Sequence, residues 1–404
     1  MGKIMKKLWQ KNNEEINAFV EEFETQGDLL MDSKLIPYDI LGSIAHVKML
    51  YKIGILTKKE SNSLQVELSK ILKLYQDGKF ILKLGDEDIH TKIEDYLTQS
   101  LGEAGKKVHT FRSRNDQVLT AIRLFSKDYL NQIEEEVEKL ISEFETFSGK
   151  NKFISMPGYT HMQKAMPSSM KLWSDSFKDS LKDDLKILKT AIELNDQSPL
   201  GSAAGYGLPI NIDRAFTAKK LGFSKVQENP IYCQNSRGKI DGIILASLVS
   251  VLQSINKFSS DVMLFTTSEF NYFIVSQFVT TGSSIMPQKK NVDLAELLRS
   301  KVHLVMGNYT QLISLSSNLI SGYNRDIQDS KKPLFESLEL TLNSIKVCQI
   351  LLKNIKPNKK VLNQAMTEDL FSTEKALKMV MGGLSFRDAY QKVGKEYARG
   401  GDKK

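Results

Sequence analysis

The feature that most constrains the fold is a set of long runs in which apolar residues recur every three or four positions, unbroken by proline. Such a stripe lies along one face of an α-helix, and a helix of roughly 25 residues needs neighbouring helices to bury it. The runs are 121–147, 168–194, 238–268 and 292–319. In the first run the stripe consists of Ile122, Phe125, Tyr129, Ile133, Val137, Leu140, Ile141 and Phe144. Packed side by side, the four runs predict an all-α fold, an elongated bundle of long helices.

The length of 404 residues with 41% apolar content exceeds a single ordinary core, so two or three packed regions are expected. Boundaries are predicted near Lys107 and Ile355. They divide the chain into an N-terminal helical domain (1–107), a central long-helix domain (108–355) and a shortened C-terminal helical domain (356–404).

The net charge of +8 raises the question of nucleic-acid binding. Lysines and acidic residues alternate along most helical runs, a pattern typical of solvated helix faces, and no aromatic-basic stripe accompanies them. The sequence therefore argues against nucleic acid as a partner, while surplus positive charge suits a small polyanionic substrate.

The location in the cell is constrained by the cysteines and by hydropathy. Two cysteines far apart in sequence, Cys233 and Cys348, cannot form a disulfide framework and favour a reducing cytoplasm. No signal-peptide pattern opens the chain, and no stretch approaches the roughly 20 apolar residues of a membrane span. A cytoplasmic protein with no membrane association is expected.

The helical runs are separated by short polar stretches rich in Gly, Ser, Thr, Asn and Pro, the kind of segment that usually carries chemistry. We expect irregular structure in 106–117, 156–167, 199–213, 280–291 and 322–333.

The stretch 280–293 is the most informative of these and reads TTGSSIMPQKKNVD. Ser283 offers a hydroxyl, Lys289 offers a cation, and Asn291 is a candidate N-cap for the helix that follows. Taken alone, the stretch could equally be a solvated loop. It resembles the signature GSSxMPxKxN of the fumarase/aspartase superfamily, and its lysine pair after Pro-Gln resembles the argininosuccinate lyase family in particular.

Further segments carry the same resemblance over roughly 9–394. They read HTFRSRNDQ at 109–117, GYTHMQKAMP at 158–167, YNRDIQDSK at 323–331 and DEDIHTKIEDYL at 86–97. In isolation, the first could be a charged turn, and the lone His161 could be structural. Together they are similar to the argininosuccinate lyase motifs HTxRSRNDQ, GYTHxQxAxP, YNRDLQEDK and DEDxHxxxExxL.

The resemblance implies elimination of fumarate from argininosuccinate to give arginine, with no cofactor or metal, and no HxxxH or CxxC spacing suggests a metal site. It implies that Ser283, acidified by loop amides and Lys289, acts as the base, and that His161, oriented by Glu296, acts as acid, orienting group or base. The sequence leaves open whether Ser283 or His161 is the base. The implied substrate contacts are Asp28, Arg112, Arg114, Asn115, Thr160, Asn291, Tyr323, Gln328 and Lys331.

Three positions depart from the family pattern. Asp28 stands where many members have a serine, Val292 replaces the usual proline after Asn291, and the C-terminal region is shorter than in typical members.

The resemblance also implies a homotetramer in which each active site combines loops from three subunits. The alternatives are another fumarate-releasing lyase, such as adenylosuccinate lyase, aspartase or fumarase, a non-enzymatic crystallin-like protein on the same fold, and a helical nucleic-acid-binding protein.

Overall fold

The computed structural model of the protein describes residues 18–83 and 86–401, and most of these residues are helical, which confirms the all-α prediction. Short 3-10 turns lie at Lys107–His109, Gln277–Val279, Arg325–Ser330 and Glu368–Phe371. The α-helices are α1 (Ala18–Lys52), α2 (Lys58–Gln76), α3 (Ile89–Leu101), α4 (Glu103–Lys106), α5 (Arg114–Lys150), α6 (Met170–Asn195), α7 (Arg214–Lys220), α8 (Pro230–Asn235), α9 (Lys239–Phe265), α10 (Asp293–Ser316), α11 (Lys331–Lys353), α12 (Lys359–Ala365), α13 (Ser372–Met381) and α14 (Phe386–Gly401).

Six short strands form three two-stranded sheets within the described ranges. Two of the pairs are antiparallel, and the pair formed by the third and fourth strands is parallel. The strands are β1 (Ser155–Thr160), β2 (Gln163–Ser169), β3 (Gln197–Ser198), β4 (Lys225–Val226), β5 (Phe273–Val275) and β6 (Ile355–Pro357).

The four long runs of the sequence correspond to α5, α6, α9 and α10, and their existence is confirmed. Six of the eight stripe residues of α5 are buried; Tyr129 and Ile141 are half-buried. The period of the apolar residues therefore predicts both the helix and its buried face.

Three stretches expected to be irregular are more ordered than the sequence suggests. The stretch 156–167 forms most of the antiparallel hairpin β1–β2, α5 begins at Arg114, and 325–330 is a 3-10 helix leading into α11. Proline and glycine weaken a strand prediction, but in this two-stranded ribbon Pro157 pairs with Pro167, and Gly158 lies at a register shift.

The described chain divides into two compact units, and both are discontinuous in sequence. The first holds the described residues within 1–128, 192–243 and 310–336, and the second holds those within 129–191, 244–309 and 337–404. Each unit thus gathers segments from distant parts of the chain, and the three-domain division at Lys107 and Ile355 stays a prediction.

The first unit is built around the packing of α1 against α2. Apolar side chains from both helices are fully buried there, among them Leu35, Ile40, Leu64 and Leu68, each worth roughly 1.5–3 kcal/mol of transfer free energy. Thr57 fixes the start of α2 through a capping box, in which its side chain accepts from the Glu60 N–H and the Glu60 carboxylate accepts from the Thr57 N–H.

The second unit has an aromatic core centred on Trp173. The ring centroids of Phe177 and Phe273 lie 5.2 and 5.1 Å from that of Trp173, and Phe144 packs edge-on against Phe258 at 5.2 Å. Aromatic pairs at these separations add roughly 0.5–1.5 kcal/mol each beyond simple burial.

The segment that contains helix α9 is more apolar than we expected from the sequence. The helical segment Pro230–Phe265 is long and apolar enough to cross a membrane by length and composition, which corrects the expectation that no stretch approaches that limit. In the structure 67% of its most apolar window is buried inside the protein, as in the core helix of a soluble protein.

Asp116, in the first turn of α5, anchors the connection that follows β3. One carboxylate oxygen accepts from Gly201 N and Ala203 N, both at 2.9 Å, and the other accepts from Ser113 N at 3.0 Å. Burial raises the pKa of the Asp116 carboxyl to about 6, against the opposing effect of these backbone donors. Three backbone amides in two segments of the first unit therefore depend on one buried carboxylate.

We expect Asp116→Asn to destabilise the protein in a pH-dependent way. A carboxyl whose pKa is higher in the folded than in the unfolded chain makes the unfolding free energy fall as pH rises from about 4 to 6, and asparagine does not titrate. In the variant, the NH₂ group of the asparagine side chain faces a backbone N–H donor at every pH. We expect this to lower the free energy of unfolding by about 1–3 kcal/mol. The free energy of unfolding that the variant loses relative to the wild type should therefore be about 2 kcal/mol larger at pH 4.5 than at pH 7.5.

Denaturant unfolding at fixed protein concentration measures this difference. Asp183→Asn, which removes an exposed carboxylate of α6, controls for the loss of one negative charge. A deficit independent of pH would contradict the shifted titration of Asp116.

Candidate active site

Ser283 lies in an exposed loop of the second unit, at 280–291. Two backbone hydrogen bonds between Thr281 and Asn291, of 3.0 and 2.9 Å, close the loop. Inside it, Ser283 Oγ accepts from Met286 N at 3.1 Å and from Ile285 N at 3.4 Å. Amide hydrogens that point at the serine oxygen favour its deprotonated form over the hydroxyl.

The hypothesis that Asn291 caps the following helix is wrong. The carbonyl of Val292 accepts the first helical hydrogen bond, from Glu296 N at 3.4 Å, and α10 begins at Asp293. Asn291 instead uses its backbone to close the loop, and its side-chain amide donates to Gly282 O at 3.5 Å.

Lys289 and Glu296 are both exposed, and neither forms an ion pair within the described ranges. Lys289 lies in the closed loop, six positions after Ser283, and its backbone N–H bonds to Met286 O at 3.1 Å. Glu296 lies in the first turn of α10. The loop therefore presents an uncompensated cation close in sequence to the serine, which suits an anionic substrate.

His161 sits at the tip of the hairpin β1–β2, directly after Thr160. Thr160 pairs with Gln163, so His161 and Met162 alone make the turn, with φ values of +53° and +62°. Two-residue turns with both φ values positive match the twist of a hairpin, but a side chain other than glycine in this conformation costs about 1–2 kcal/mol. Strained residues of this kind are concentrated at functional sites.

The catalytic residues predicted in the second unit are not connected to one another by hydrogen bonds or ion pairs in the described part of the chain. Among the residues that the structure describes, no hydrogen bond or ion pair links His161 to Glu296 or to Ser283. The predicted orientation of His161 by Glu296 thus stays a prediction.

In the first unit, Lys331 is buried, with 2% of its side chain exposed, between two carboxylates of α1. Its Nζ lies 2.5 Å from Asp28 Oδ1 and 2.6 Å from Asp32 Oδ1. Burial raises the pKa of the Asp28 carboxyl to about 6, and the Lys331 charge acts in the opposite direction. Asp28 is therefore part of a largely buried ion cluster with Lys331 and Asp32, and its predicted contact with substrate stays a prediction.

Gln328, in the 3-10 helix that precedes Lys331, also contacts α1. Its Nε2 donates to the Glu24 carbonyl at 3.0 Å, and the neighbouring Arg325 lies 3.6 Å from the Glu24 carboxylate. Gln328 and Lys331, predicted to contact substrate, both contact α1 in this structure, so their predicted role stays a prediction.

The segment 112–115 holds the remaining predicted donors. Arg112 is buried and donates to Ser43 Oγ at 3.0 Å and to the Val108 carbonyl at 2.7 Å. Arg114 pairs with Glu87 at 2.6 Å and Asp88 at 2.9 Å, and Asn115 donates to the Ala204 carbonyl at 3.4 Å.

Arg112 differs from its two neighbours in accessibility. Its guanidinium is enclosed by protein atoms, whereas Arg114 and Asn115 remain half-exposed at the start of α5. The structure thus places Arg112 as a support of the segment, while Arg114 and Asn115 are accessible to a ligand.

Tyr323 lines a cavity of about 220 Å³ in the first unit. The cavity lies between the end of α8 and the connection from α10 to α11. Its walls are formed by Gln234, Asn235, Arg237, Ser316, Leu319, Ile320, Ser321, Gly322, Tyr323, Asn324 and Ile327.

Sequence reasoning missed three residues of these clusters. Asp32 follows Asp28 by one helical turn, so the i,i+4 spacing of two acids on α1 could have identified it. Gln234 and Arg237 belong to no motif that the sequence reading recognised. Over the described parts of the chain, no group of three or more His, Cys, Asp or Glu residues is arranged to hold a metal ion.

The chain resembles known proteins in both sequence and fold. A protein-family model described as Lyase matches residues 10–307. The solved structure of EDDS lyase in complex with formate shares the fold, with a TM-score of 0.80 at 23% identity over 95% of this chain and 76% of that one.

Two curated relatives match almost the full length. The chain is 43% identical to argininosuccinate lyase of Thermotoga neapolitana over 396 residues, covering 98% of this chain and 99% of the relative. It is 38% identical to argininosuccinate lyase of Parabacteroides distasonis, covering 98% and 89%. With the serine loop, the hairpin histidine and the 112–115 segment all in place, the chain belongs to the argininosuccinate lyase family of the fumarase/aspartase superfamily.

Proposed function

We propose that the protein cleaves argininosuccinate into fumarate and L-arginine. The observation that carries the proposal is the closed, exposed loop in which Ser283 Oγ accepts two backbone N–H groups and Lys289 supplies an unpaired cation. This arrangement stabilises an alkoxide, and an alkoxide is a base strong enough for a weakly acidic carbon-bound proton.

The reaction requires a proton to leave the carbon next to a carboxylate before the C–N bond breaks. The base takes this proton, and the electron pair is delocalised into the adjacent carboxylate, where a cation such as Lys289 offsets the added negative charge. The electron pair then forms the double bond of fumarate as the guanidino nitrogen leaves with the C–N bonding pair. A proton on that nitrogen completes arginine.

His161 is the second candidate for proton transfer. The strained hairpin turn holds its side chain at an exposed tip, where it can deliver or accept a proton. We assign Ser283 as the base, because its oxygen accepts amide hydrogen bonds, and His161 as the acid or orienting group. In this proposal Thr160 and Asn291 flank the two proton-transfer residues and contact the substrate. No cofactor or metal is required, and we place the protein in the cytoplasm.

We also propose a homotetramer with active sites shared between subunits. Helix α10 exposes Leu297 and Leu304, each with 53% of its surface accessible and separated by seven residues, so both lie on one helix face. In the loop before α10, Ile285 is 83% exposed. Apolar side chains in register along a long helix are usually covered by another helix, and copies of the same chain would cover it with symmetry.

We expect purified protein to release fumarate from argininosuccinate at a far higher rate than from adenylosuccinate or aspartate. Absorbance of fumarate measures all three reactions in one assay. Cleavage of adenylosuccinate at a comparable rate would contradict the proposed substrate while leaving the superfamily membership intact.

Replacement of Ser283 by alanine should reduce turnover by about 10²-fold to 10⁴-fold, the usual contribution of a positioned proton-transfer group. Folding should be unaffected, because the side chain lies in an exposed loop. Ser284→Ala, at the adjacent exposed serine, is the matched control and should lose far less. If Ser283→Ala retained more than about a tenth of wild-type turnover, the serine would not be the base and His161 would replace it.

Leu304→Lys should weaken assembly, because a lysine on the exposed stripe of α10 would have to bury its charge in the proposed interface. Sedimentation should show the wild type at about four times the 45.7 kDa protomer mass and the variant at lower mass, with unchanged helical content. Val66→Lys, on an exposed face of α2, is the control. A wild-type protein that is monomeric and fully active would rule out the shared site.

A further inference from the structure

The hairpin β1–β2 carries His161 on two strands that do not hold the tip in place by themselves. A single two-stranded hairpin is at best marginally stable in water, and the turn at His161 and Met162 adds the strain of two left-handed residues. The imidazole of His161 forms no hydrogen bond with any described residue, so the backbone of the turn sets its position. Contacts elsewhere on the hairpin must therefore hold the tip.

The second cross-strand pair behind the turn supplies such contacts. In the register of the hairpin, Tyr159 lies opposite Lys164, directly after the register shift that follows Gly158. A bulge of this kind redirects the residues beyond it, and residues directly opposite each other in a ribbon lie on the same face. Both side chains of the pair form hydrogen bonds with residues outside the hairpin.

Tyr159 binds the segment that leads into β5. Its hydroxyl forms a hydrogen bond of 2.6 Å with the hydroxyl of Tyr272, and its ring packs edge-on against Phe270 with the centroids 5.8 Å apart. The carbonyl of Tyr272 in turn accepts from Asn358 N at 2.8 Å, and Asn358 directly precedes α12. This anchor therefore connects β1 to the start of α12.

Lys164 binds the other end of the same helix. Its ammonium group donates to the carbonyl of Ala365, the last residue of α12, at 2.7 Å and to Thr367 Oγ1 at 3.4 Å. The last carbonyls of a helix lack donors within the helix, and a lysine side chain often supplies one. The Tyr159–Lys164 pair thus fixes the hairpin to both ends of α12, and all these residues belong to the second unit.

We propose that Lys164 and Tyr159 are positioning residues that hold His161 in place through α12. The inference rests on the proposed function, in which His161 transfers a proton or orients the substrate. Proton transfer needs a donor and an acceptor within hydrogen-bond reach, and a misplacement of about 1 Å can reduce the rate by about 10²-fold. Because the turn is strained, loss of either anchor allows the tip to relax away from its left-handed conformation. The strands also rest on this segment, since β1 packs against α12 and β2 packs against the 3-10 helix at Glu368–Phe371.

A comparison of Lys164→Met with Lys164→Arg tests the lysine anchor in the full-length protein. Methionine keeps the apolar stem but has no donor, whereas arginine keeps a charged donor. Turnover of argininosuccinate should show kcat lowered by about tenfold to 10²-fold in Lys164→Met with KM within about threefold, and kcat close to wild type in Lys164→Arg. Tyr159→Phe, which removes only the hydroxyl, should lower kcat in the same way. Lys378→Met, which removes an exposed lysine paired with Glu374 of its own helix, is the control and should leave kcat unchanged.

The same substitution in a His161→Gln background shows whether the lysine acts through the histidine. If Lys164 positions His161, Lys164→Met should lower kcat by less than about twofold once the imidazole is gone. An equal loss of kcat in both backgrounds, an unchanged kcat in Lys164→Met, or a failure of arginine to preserve turnover would each overturn the inference.

Hydrogen exchange followed by mass spectrometry separates this inference from the proposed function. Amide hydrogens of peptides within 155–169 should exchange at least about tenfold faster in Lys164→Met than in the wild type, while those of α9 keep their rates, because the hairpin opens locally. If Lys164→Met exchanges faster throughout the chain, it has lost its fold, and Tyr159→Phe carries the same test. Exchange needs no catalysis, so this result would stand even if the wild type released no fumarate. Rapid fumarate release by the wild type, with unchanged exchange of the hairpin in both variants, would leave the reaction standing and overturn the anchors.

Discussion

Burial of the apolar stripes of α5, α6, α9 and α10 is the constraint on which the rest of the structure depends. These helices are too long to be stable in isolation, and their stripes can be covered only by other helices. The buried faces of these helices consequently carry side chains that pack against one another, as in the aromatic cluster around Trp173. The residues capable of chemistry are left to the helix ends and connections, where Ser283, His161 and Arg114 all lie.

The connections are held in shape by local polar interactions that each have a cost. The hairpin tip places two side chains in the left-handed region, Asp116 is buried to bind three backbone amides, and Lys331 is enclosed with two carboxylates. None of these arrangements maximises stability, since left-handed backbone, a buried acid and a buried ion cluster are all replaceable by less costly alternatives. They become understandable if the connections must be rigid in order to position reacting groups.

The sequence predicts the fold better than it predicts the contacts of the site. The period of apolar residues locates the long helices, and the motifs locate Ser283, His161 and the 112–115 segment. The hairpin escaped prediction, because its turn lacks the glycine that normally marks two positive φ values. Lys331 and Asp28 are separated by about 300 positions, so their ion pair depends on tertiary packing that no local pattern encodes. Arg237 carries no motif, and only its place in the wall of the cavity identifies it.

The substitution of a carboxylate for the usual serine at position 28 links these observations. A serine there would leave Lys331 paired with one carboxylate, Asp32, whereas Asp28 adds a second carboxylate to a lysine whose charge Asp32 already balances. Burial of this cluster raises the pKa of the Asp28 carboxyl and the neighbouring Asp32 carboxylate raises it further, while the Lys331 charge lowers it. Position 28 therefore sets the net charge of the cluster that joins α1 to α11, and an uncharged residue there would leave Lys331 and Asp32 as a single balanced ion pair.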